Sequence, residues 1–464
     1  MAGTQPTHGT VMSLVTENAA GLRHRTITAD TVFPLPLTPF EFFFRCDARS
    51  HYEGVIYVEL ESRGRFDRSA FELAYLWTHA RHPLLSARVA ADARGWPEWI
   101  SGAPGPVQYG AGPVPTVGAD APMHVQIRQA GDETKFRFGF SHMAVDGLGA
   151  FQFLGDLFIG YNHACAGHVY PPVWRRLDPE RLRERDGHQT VNPRKLSELW
   201  QIAKVHLPLS LRSAALVSED VTPPATSSTA PQEPAEFLVE HLSREETDAL
   251  SRVAAGASVM LNDLLVRDYF LMLEEWNRQT SQARAPLRVM IPTNMRTRKD
   301  LRMPAANVFS YAFVTRTARD CQDPHKLLES IRHEMADIKR EKRGLYYEAG
   351  LRLLSRWPAF VRWSLNRPTC FATGVFTNLS SGFDRVPLPT VDGCKVAGDL
   401  LFETGAGAGP IRPGTRISFA AHNYAGRLAI SAVCDAQVFS PSQQRALLDA
   451  YLAKLRTTIA GEKS

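Results

Sequence analysis

No two of the six cysteines (Cys46, Cys165, Cys321, Cys370, Cys394 and Cys434) form a Cys-x-x-Cys pair, and all lie far apart in a chain of 464 residues. That spacing argues against a zinc site or a disulfide framework, and no metal is expected; a reducing compartment is favoured. A long apolar run is also missing. The nearest candidate, residues 199–217, is interrupted by Lys204, His206, Pro208 and Arg212, so no stretch is expected to span a bilayer. The first 25 residues lack a basic start followed by a sustained apolar core, so no secretion signal is expected and the anticipated location is cytoplasmic. Charge of one sign is scarce too. The 53 Lys and Arg are interleaved with 48 Asp and Glu for a net +5, which permits an anionic ligand but argues against a nucleic-acid binder.

What is present fits an ordinary soluble globular chain, with 44% apolar and 22% charged residues and enough length for two or three domains with separate cores. Residues 1–30 are small and polar and read as a loose tail. Residues 218–236 (SEDVTPPATSSTAPQEPAE) have no apolar periodicity and are dense in Pro, Ser and Thr, so they read as an exposed linker. The predicted division is therefore a first domain over 31–217 and a second over 237–464, each mixing strands and helices.

Within the first domain, Thr38 and Glu41 have capping-box spacing at the start of a short helix. A strand is predicted over 54–60, a helix over 66–80, extended chain over 84–89, and a hairpin from 124–129 and 135–140. Residues 171–200 read as a solvated connection plus a helix. In the second domain, a strand over 236–241 precedes a helix over 243–255 with Ser243 and Glu246 as its capping box, and one long buried helix over 257–279. A strand over 287–296, helices over 324–342 and 346–365, strands over 374–379, 417–421 and 428–434, and a final helix over 441–458 complete the chain. The helix over 346–365, with Lys339, Arg340, Lys342 and Arg343 before it, reads as a packed helix with a solvated basic start; contact with an anionic membrane surface is the alternative.

The chemistry concentrates at residues 135–161. Phe136, Phe138 and Phe140 alternate with Lys135, Arg137 and Gly139, the period of a half-buried strand. After Gly147 the apolar residues Leu148, Phe151, Leu154, Phe158 and Tyr161 recur at three- and four-residue steps, as on a helix. His142 and Asp146 lie in the turn between. An imidazole beside an apolar wall is partly desolvated, which favours its neutral form and its use as a base. Asp146 can return to orient the ring or brace the loop, and Gly147 allows a backbone conformation or close approach that a side chain forbids. His-x-x-x-Asp is a chance-prone spacing: on spacing alone a structural histidine beside an N-capping or loop aspartate is the commoner reading, and the strand-turn-helix context and the adjoining Gly favour the functional one.

Several segments, in order, resemble the chloramphenicol acetyltransferase-like, or condensation-type, acyltransferases. These are PLTPFEFFF (36–44), RHPLLSARV (81–89), SHMAVDG (141–147), SVMLNDLLV (258–266), RVMIPTNMR (288–296), FTNLSSG (376–382) and PGTRISFAAHNYAGRLAISAV (413–433). Stand-alone wax ester synthase/diacylglycerol acyltransferases and polyketide-associated acyltransferases are the nearest members, and nonribosomal-peptide condensation domains more distant ones. The resemblance implies an α/β (α+β sandwich) fold of two similar domains in a V-shaped pseudo-dimer, with an active-site tunnel between them. It implies that His142 matches the family's catalytic base, and that Asp146 is mainly structural and pairs with Arg296. The family signature has a histidine where this chain has Ser141. The DFGWG-type motif of the plant branch is absent, so that branch is excluded.

The implied reaction moves an acyl group from an acyl-CoA or an acyl or peptidyl carrier-protein thioester to a small-molecule or lipid hydroxyl or amine, with no tightly bound cofactor. No acyl-enzyme is required, consistent with the lack of a Gly-x-Ser-x-Gly elbow. A tetrahedral oxyanion needs a pre-placed donor, for which Asn378 is the candidate, with Thr377 and Ser380 behind it. The glycine-rich GAGAGP (405–410) does not follow a strand and open a helix, so a loop near the tunnel is expected rather than a dinucleotide site. His422, without a visible partner, reads as structural. A carrier protein is a possible partner and a monomer the expected state. The alternatives are a condensation-like enzyme performing cyclisation, elimination or rearrangement, and a non-catalytic scaffold.

Overall fold

The Phe alternation folds as expected into the strand Glu133–Ser141, the centre around which the first half is built. Phe136, Phe138 and Phe140 are fully buried and stack along one face of the sheet at 6.3 and 6.2 Å between ring centres. Each such burial contributes roughly 1.5–3 kcal/mol. The computed structural model describes residues 32–461 except 49–51, 113–116, 119–120, 188–190, 222–236, 368 and 381, and the side chain of Ser380. The tail over 1–30 and most of the linker over 218–236 thus lie outside the described residues.

Three sheets organise the described chain. In the largest, the strands run in the order Thr390–Val391, Cys394–Ala397, Leu400–Ala408, Val55–Arg63, Glu133–Ser141, Met123–Ala130 and Val107–Tyr109. The second has the order Phe309–Arg316, Leu287–Asn294, Gly374–Ser380, Ile417–Tyr424, Arg427–Cys434 and Leu238–His241. A small sheet joins Leu35–Pro36, Pro97–Ile100 and Arg88–Ala91. Helices Arg68–Arg81 and Gly147–Cys165 cover the first sheet, whereas Arg244–Gly256, Leu261–Asn277, Pro324–Arg340 and Pro441–Ala460 pack with the second.

The division in sequence is not a division between sheets. Leu400–Ala408, from the second half, pairs antiparallel with Val55–Arg63 of the first, Gly405 opposite Leu60 and Ala408 opposite Tyr57. This corrects the loop expected over 405–410: most of that glycine-rich run is a strand. A Cβ on Gly407 would come within 2.8 Å of Leu379 Cδ1, so the small residues let this strand approach the second half closely. The loop at Met303–Val308 also crosses over, and its apolar side chains join the core of the first half.

Other local readings differ for identifiable reasons. Residues 84–89 are not all extended, since Pro83–Ser86 forms a 3-10 turn before the strand Arg88–Ala91. The long helix expected over 257–279 starts only at Leu261: Ser258 adopts a left-handed φ of +55°, and the Asp263 carboxylate caps the Met260 N–H. The helix expected over 346–365 is two, Arg343–Leu354 and Pro358–Leu365, because the residue before Pro358 is driven out of helical geometry. The helix in the connecting region extends over Leu196–Leu211, with Pro208 in its last turn.

The capping box at Thr38 and Glu41 forms as expected and does more than cap. Glu41 is fully buried, accepting from the Thr38 N–H at 2.8 Å, from Trp99 Nε1 at 3.1 Å, and from Arg185 at 2.7 Å on both oxygens. One carboxylate therefore joins the first helix, the small sheet and the segment after the 3-10 helix Pro179–Glu184. Glu41→Ala leaves a buried guanidinium unpaired and is expected to cost about 3–5 kcal/mol, read from denaturant unfolding. A loss no larger than that of an exposed substitution, below about 0.5 kcal/mol, would show that the network carries no load.

Candidate active site

His142 follows directly from the central strand, and its N–H donates to the Gly54 carbonyl at 2.8 Å. Its ring is stacked between two phenylalanines, Phe44 at 4.6 Å and Phe309 at 4.8 Å, one from each half of the chain. Only 7% of the residue is exposed, and this burial pushes the imidazole down to about 4. The Asp146 carboxylate and the backbone carbonyls of His142 and Val145 offset only part of that cost. No side chain or backbone group among the described residues makes a well-formed hydrogen bond to Nδ1. The ring is therefore neutral near pH 7.

Asp146 braces the turn. One carboxylate oxygen accepts from the Gly149 N–H at 2.9 Å, capping the helix Gly147–Cys165. The other accepts from Arg296 Nη1 at 2.7 Å and the Val308 N–H at 2.8 Å. Arg296 also donates from Nη2 to the Ala306 carbonyl at 2.9 Å. Of the two readings of Asp146, orienting the ring or holding the loop, this geometry supports the second. Gly147 permits close approach rather than an unusual φ, as a Cβ there would meet Leu379 Cδ2 at 2.9 Å. Ser141 is buried; its N–H donates to the Pro122 carbonyl, and its own carbonyl accepts from Ala144 and Val145 to close the turn.

A solvent-open cavity of about 320 Å³ lies between the halves at this point. His142, Asp146, Gly147 and Leu148 line it from one side, and Thr293, Arg296, Thr377 and Asn378 from the other. Thr377 and Asn378 lie on the strand Gly374–Ser380, which is irregular between Asn378 and Ser380 where it pairs with Ile417–Tyr424. The side chain of Ser380 is outside the described part. Ala408, Gly409 and Pro410 form part of the rim, so the end of the glycine-rich run does reach the cavity. His422 does not line it. That side chain is buried on the neighbouring strand against Phe151 at 5.0 Å.

Sequence reasoning missed four contributors. Asn307 donates from Nδ2 to the His142 carbonyl at 2.6 Å, fixing the turn from the opposite half. Phe44 and Phe309 form the walls of the imidazole, although Phe44 was visible as the last letter of FEFFF. Gly149 is also critical, because a Cβ there would sit 2.9 Å from the Ala306 carbonyl oxygen. Nothing local to these positions indicates which residues the other half presents.

Removing Asp146 takes the carboxylate from the Arg296 guanidinium and from two backbone N–H groups, those of Gly149 and Val308. Asp146→Ala is expected to lose about 3–5 kcal/mol of stability, and Asp146→Ala with Arg296→Ala less than the sum of the single losses. Additive losses in urea unfolding would show that the pair is not coupled. Burial also lowers His79 to about 3 and His124 and His422 to about 4, alongside His142. The unfolded chain, with ordinary values near 6.5, then takes up protons before the folded one as pH falls. Their stability contribution is complete above about pH 6.5 and is lost progressively towards pH 4. The thermal midpoint is expected to fall over that window; a flat midpoint from pH 7 to 4.5 would contradict their neutral burial.

No family model and no curated protein matches the chain in sequence. Solved structures do match in fold. The structure of polyketide synthase associated protein 5 from Mycobacterium tuberculosis superposes with a TM-score of 0.64 at 16% identity, over 92% of this chain and 98% of that one. The first condensation domain of the calcium-dependent antibiotic synthetase, bound to a substrate analogue, gives 0.67 at 15% identity over 92% and 97%. The epimerization domain from the third module of tyrocidine synthetase B gives 0.61 at 15% identity over 92% and 97%. The chain thus has the same fold as these condensation and epimerization domains and the polyketide synthase associated protein.

Proposed function

We propose that the protein is an acyltransferase that moves an acyl group from a thioester directly to a hydroxyl or amine, with His142 as general base. The observation that carries this reading is a neutral imidazole, held in an aromatic slot, on the wall of a cavity that both halves line. Because Nδ1 is buried, the role of base is assigned to Nε2. It takes the proton of the acceptor as the acceptor oxygen or nitrogen bonds to the thioester carbonyl carbon. The carbon–sulfur bond then breaks, and the imidazolium returns its proton to the departing thiolate. Low basicity aids this second half, because a desolvated imidazolium gives up its proton readily. Asn378, on the facing strand, is the donor assigned to the tetrahedral oxyanion, with Thr377 and Ser380 as alternatives.

The donor is assigned as acyl-CoA or the phosphopantetheine arm of a carrier protein, and the product class as a lipid or natural product. Similarity to domains of an antibiotic synthetase and to a polyketide synthase associated protein supports a carrier-borne donor. A second reading comes from the similarity to an epimerization domain: the same base moving a proton on a bound substrate, without acyl transfer, in a cyclisation, elimination or rearrangement.

The test incubates wild type and His142→Ala with a panel of acyl-CoA and acyl-carrier thioesters and crude acceptors, followed by mass spectrometry of products. His142→Ala is expected to lose about 10²–10⁴-fold in rate, and Asn378→Ala about 10²–10³-fold. Equal product formation by wild type and His142→Ala defeats the mechanism. A product that has gained no acyl group but has altered connectivity or configuration, or has lost a small molecule, favours the second reading.

A further inference from the structure

The helices Leu196–Leu211 and Pro358–Leu365 rim a common groove, lined by Leu209, Leu351, Leu354, Phe360 and Val361. Their outward faces are apolar where water would favour polar residues. Trp200 is 59% exposed, Trp357 59%, Trp363 55% and Leu211 76%. Within the first helix, only Ile202 and Leu209 are buried.

The charge around these aromatics is one-sided. Residues 194–212 and 356–367 hold seven basic residues and one acidic, Glu198, for a net +6; the other 46 basic and 47 acidic residues of the chain sum to −1. Lys195 accompanies Glu198 at 3.7 Å. Arg367 lies over the Trp363 ring at 5.1 Å and Lys204 near that of Trp200 at 5.8 Å, so the cations sit among the aromatics.

We propose that this face docks the protein on an anionic lipid membrane, the tryptophans entering the headgroup layer and the surrounding Lys and Arg meeting lipid phosphates. Trp is suited to that layer by its apolar body and polar N–H, and short amphipathic helices with basic flanks lie in it rather than across it. Among the described residues no single helix is long and apolar enough to cross a membrane, so the contact is peripheral. The face also connects inward. Phe43, Tyr347 and Phe371 line both the groove and an adjoining cavity, and Met290 and Tyr311 line both that cavity and the one at His142. Docking places an apolar path to His142 against the bilayer, and its assignment needs no assumption about the reaction.

Flotation with phosphatidylcholine vesicles, and with vesicles in which about a third of the lipid is phosphatidylglycerol, tests it. Wild type is expected to bind the anionic vesicles and not the neutral ones. Trp200→Gln/Trp357→Gln/Trp363→Gln is expected to lose that binding at least tenfold while keeping its thermal midpoint, and Lys204→Gln and Arg356→Gln to weaken it about fivefold each. Trp96→Gln, an exposed tryptophan elsewhere, leaves binding unchanged. Equal binding to both vesicle types, undiminished binding by the triple variant, or a wild-type dimer in light scattering that the triple variant abolishes would each overturn the proposal, the last by making the face a contact between two copies of the chain.

Discussion

The Asp146 carboxylate is the constraint on which the site depends. It accepts from Gly149, Arg296 and Val308, and so ends the turn after His142, begins the helix behind it and ties both to the second half of the chain. A buried carboxylate is costly unless its lone pairs are filled. Here two of the three donors come from one oxygen's side and from the other half, so the charge is satisfied only when the halves are assembled. The aspartate thereby links the integrity of the turn after His142 to the packing between halves, rather than adjusting the imidazole by direct contact.

That interlocking is reinforced by backbone. Leu400–Ala408 completes the sheet of the first half, and the Met303–Val308 loop lies on its core while presenting Asn307 to the His142 carbonyl. Within the same loop, the Ala305 N–H donates to His82 Nδ1 at 2.9 Å, while His82 Nε2 meets Asp156 at 3.1 Å. An imidazole accepting at one nitrogen and donating at the other is neutral, in keeping with the burial that lowers its basicity. The RHPLLSARV segment is thus one of the surfaces that hold the halves together. Phe44 and Phe309 complete the arrangement, since the slot around His142 closes only when both halves contribute a ring. The low dielectric that keeps the histidine neutral is therefore a property of the assembled pair.

Local physics was legible in the residues. Alternating Phe136, Phe138 and Phe140 dictated the central strand, the steps after Gly147 dictated the helix, and the Thr38–Glu41 and Ser243–Glu246 spacings announced helix starts that the chain forms. The placement of His142 in a strand-turn-helix connection was equally readable, because it depends on periods of two and 3.6 within a few turns of chain. Overlooked local signals cost some boundaries: Pro358 splits one expected helix, and the left-handed Ser258 delays another.

Tertiary structure decided what no local period encodes. Whether GAGAG is a loop or a strand depends on Leu60 and Tyr57 lying opposite it and on Leu379 pressing against Gly407. Whether Asp146 serves the ring or the fold depends on Arg296 and Val308, 150 and 162 residues away along the chain. The chain by itself determined the strand, the turn and the residue types at the site. Only the folded pair of halves decided that the histidine is enclosed, neutral and facing a cavity, because enclosure is made by side chains that sequence distance keeps apart.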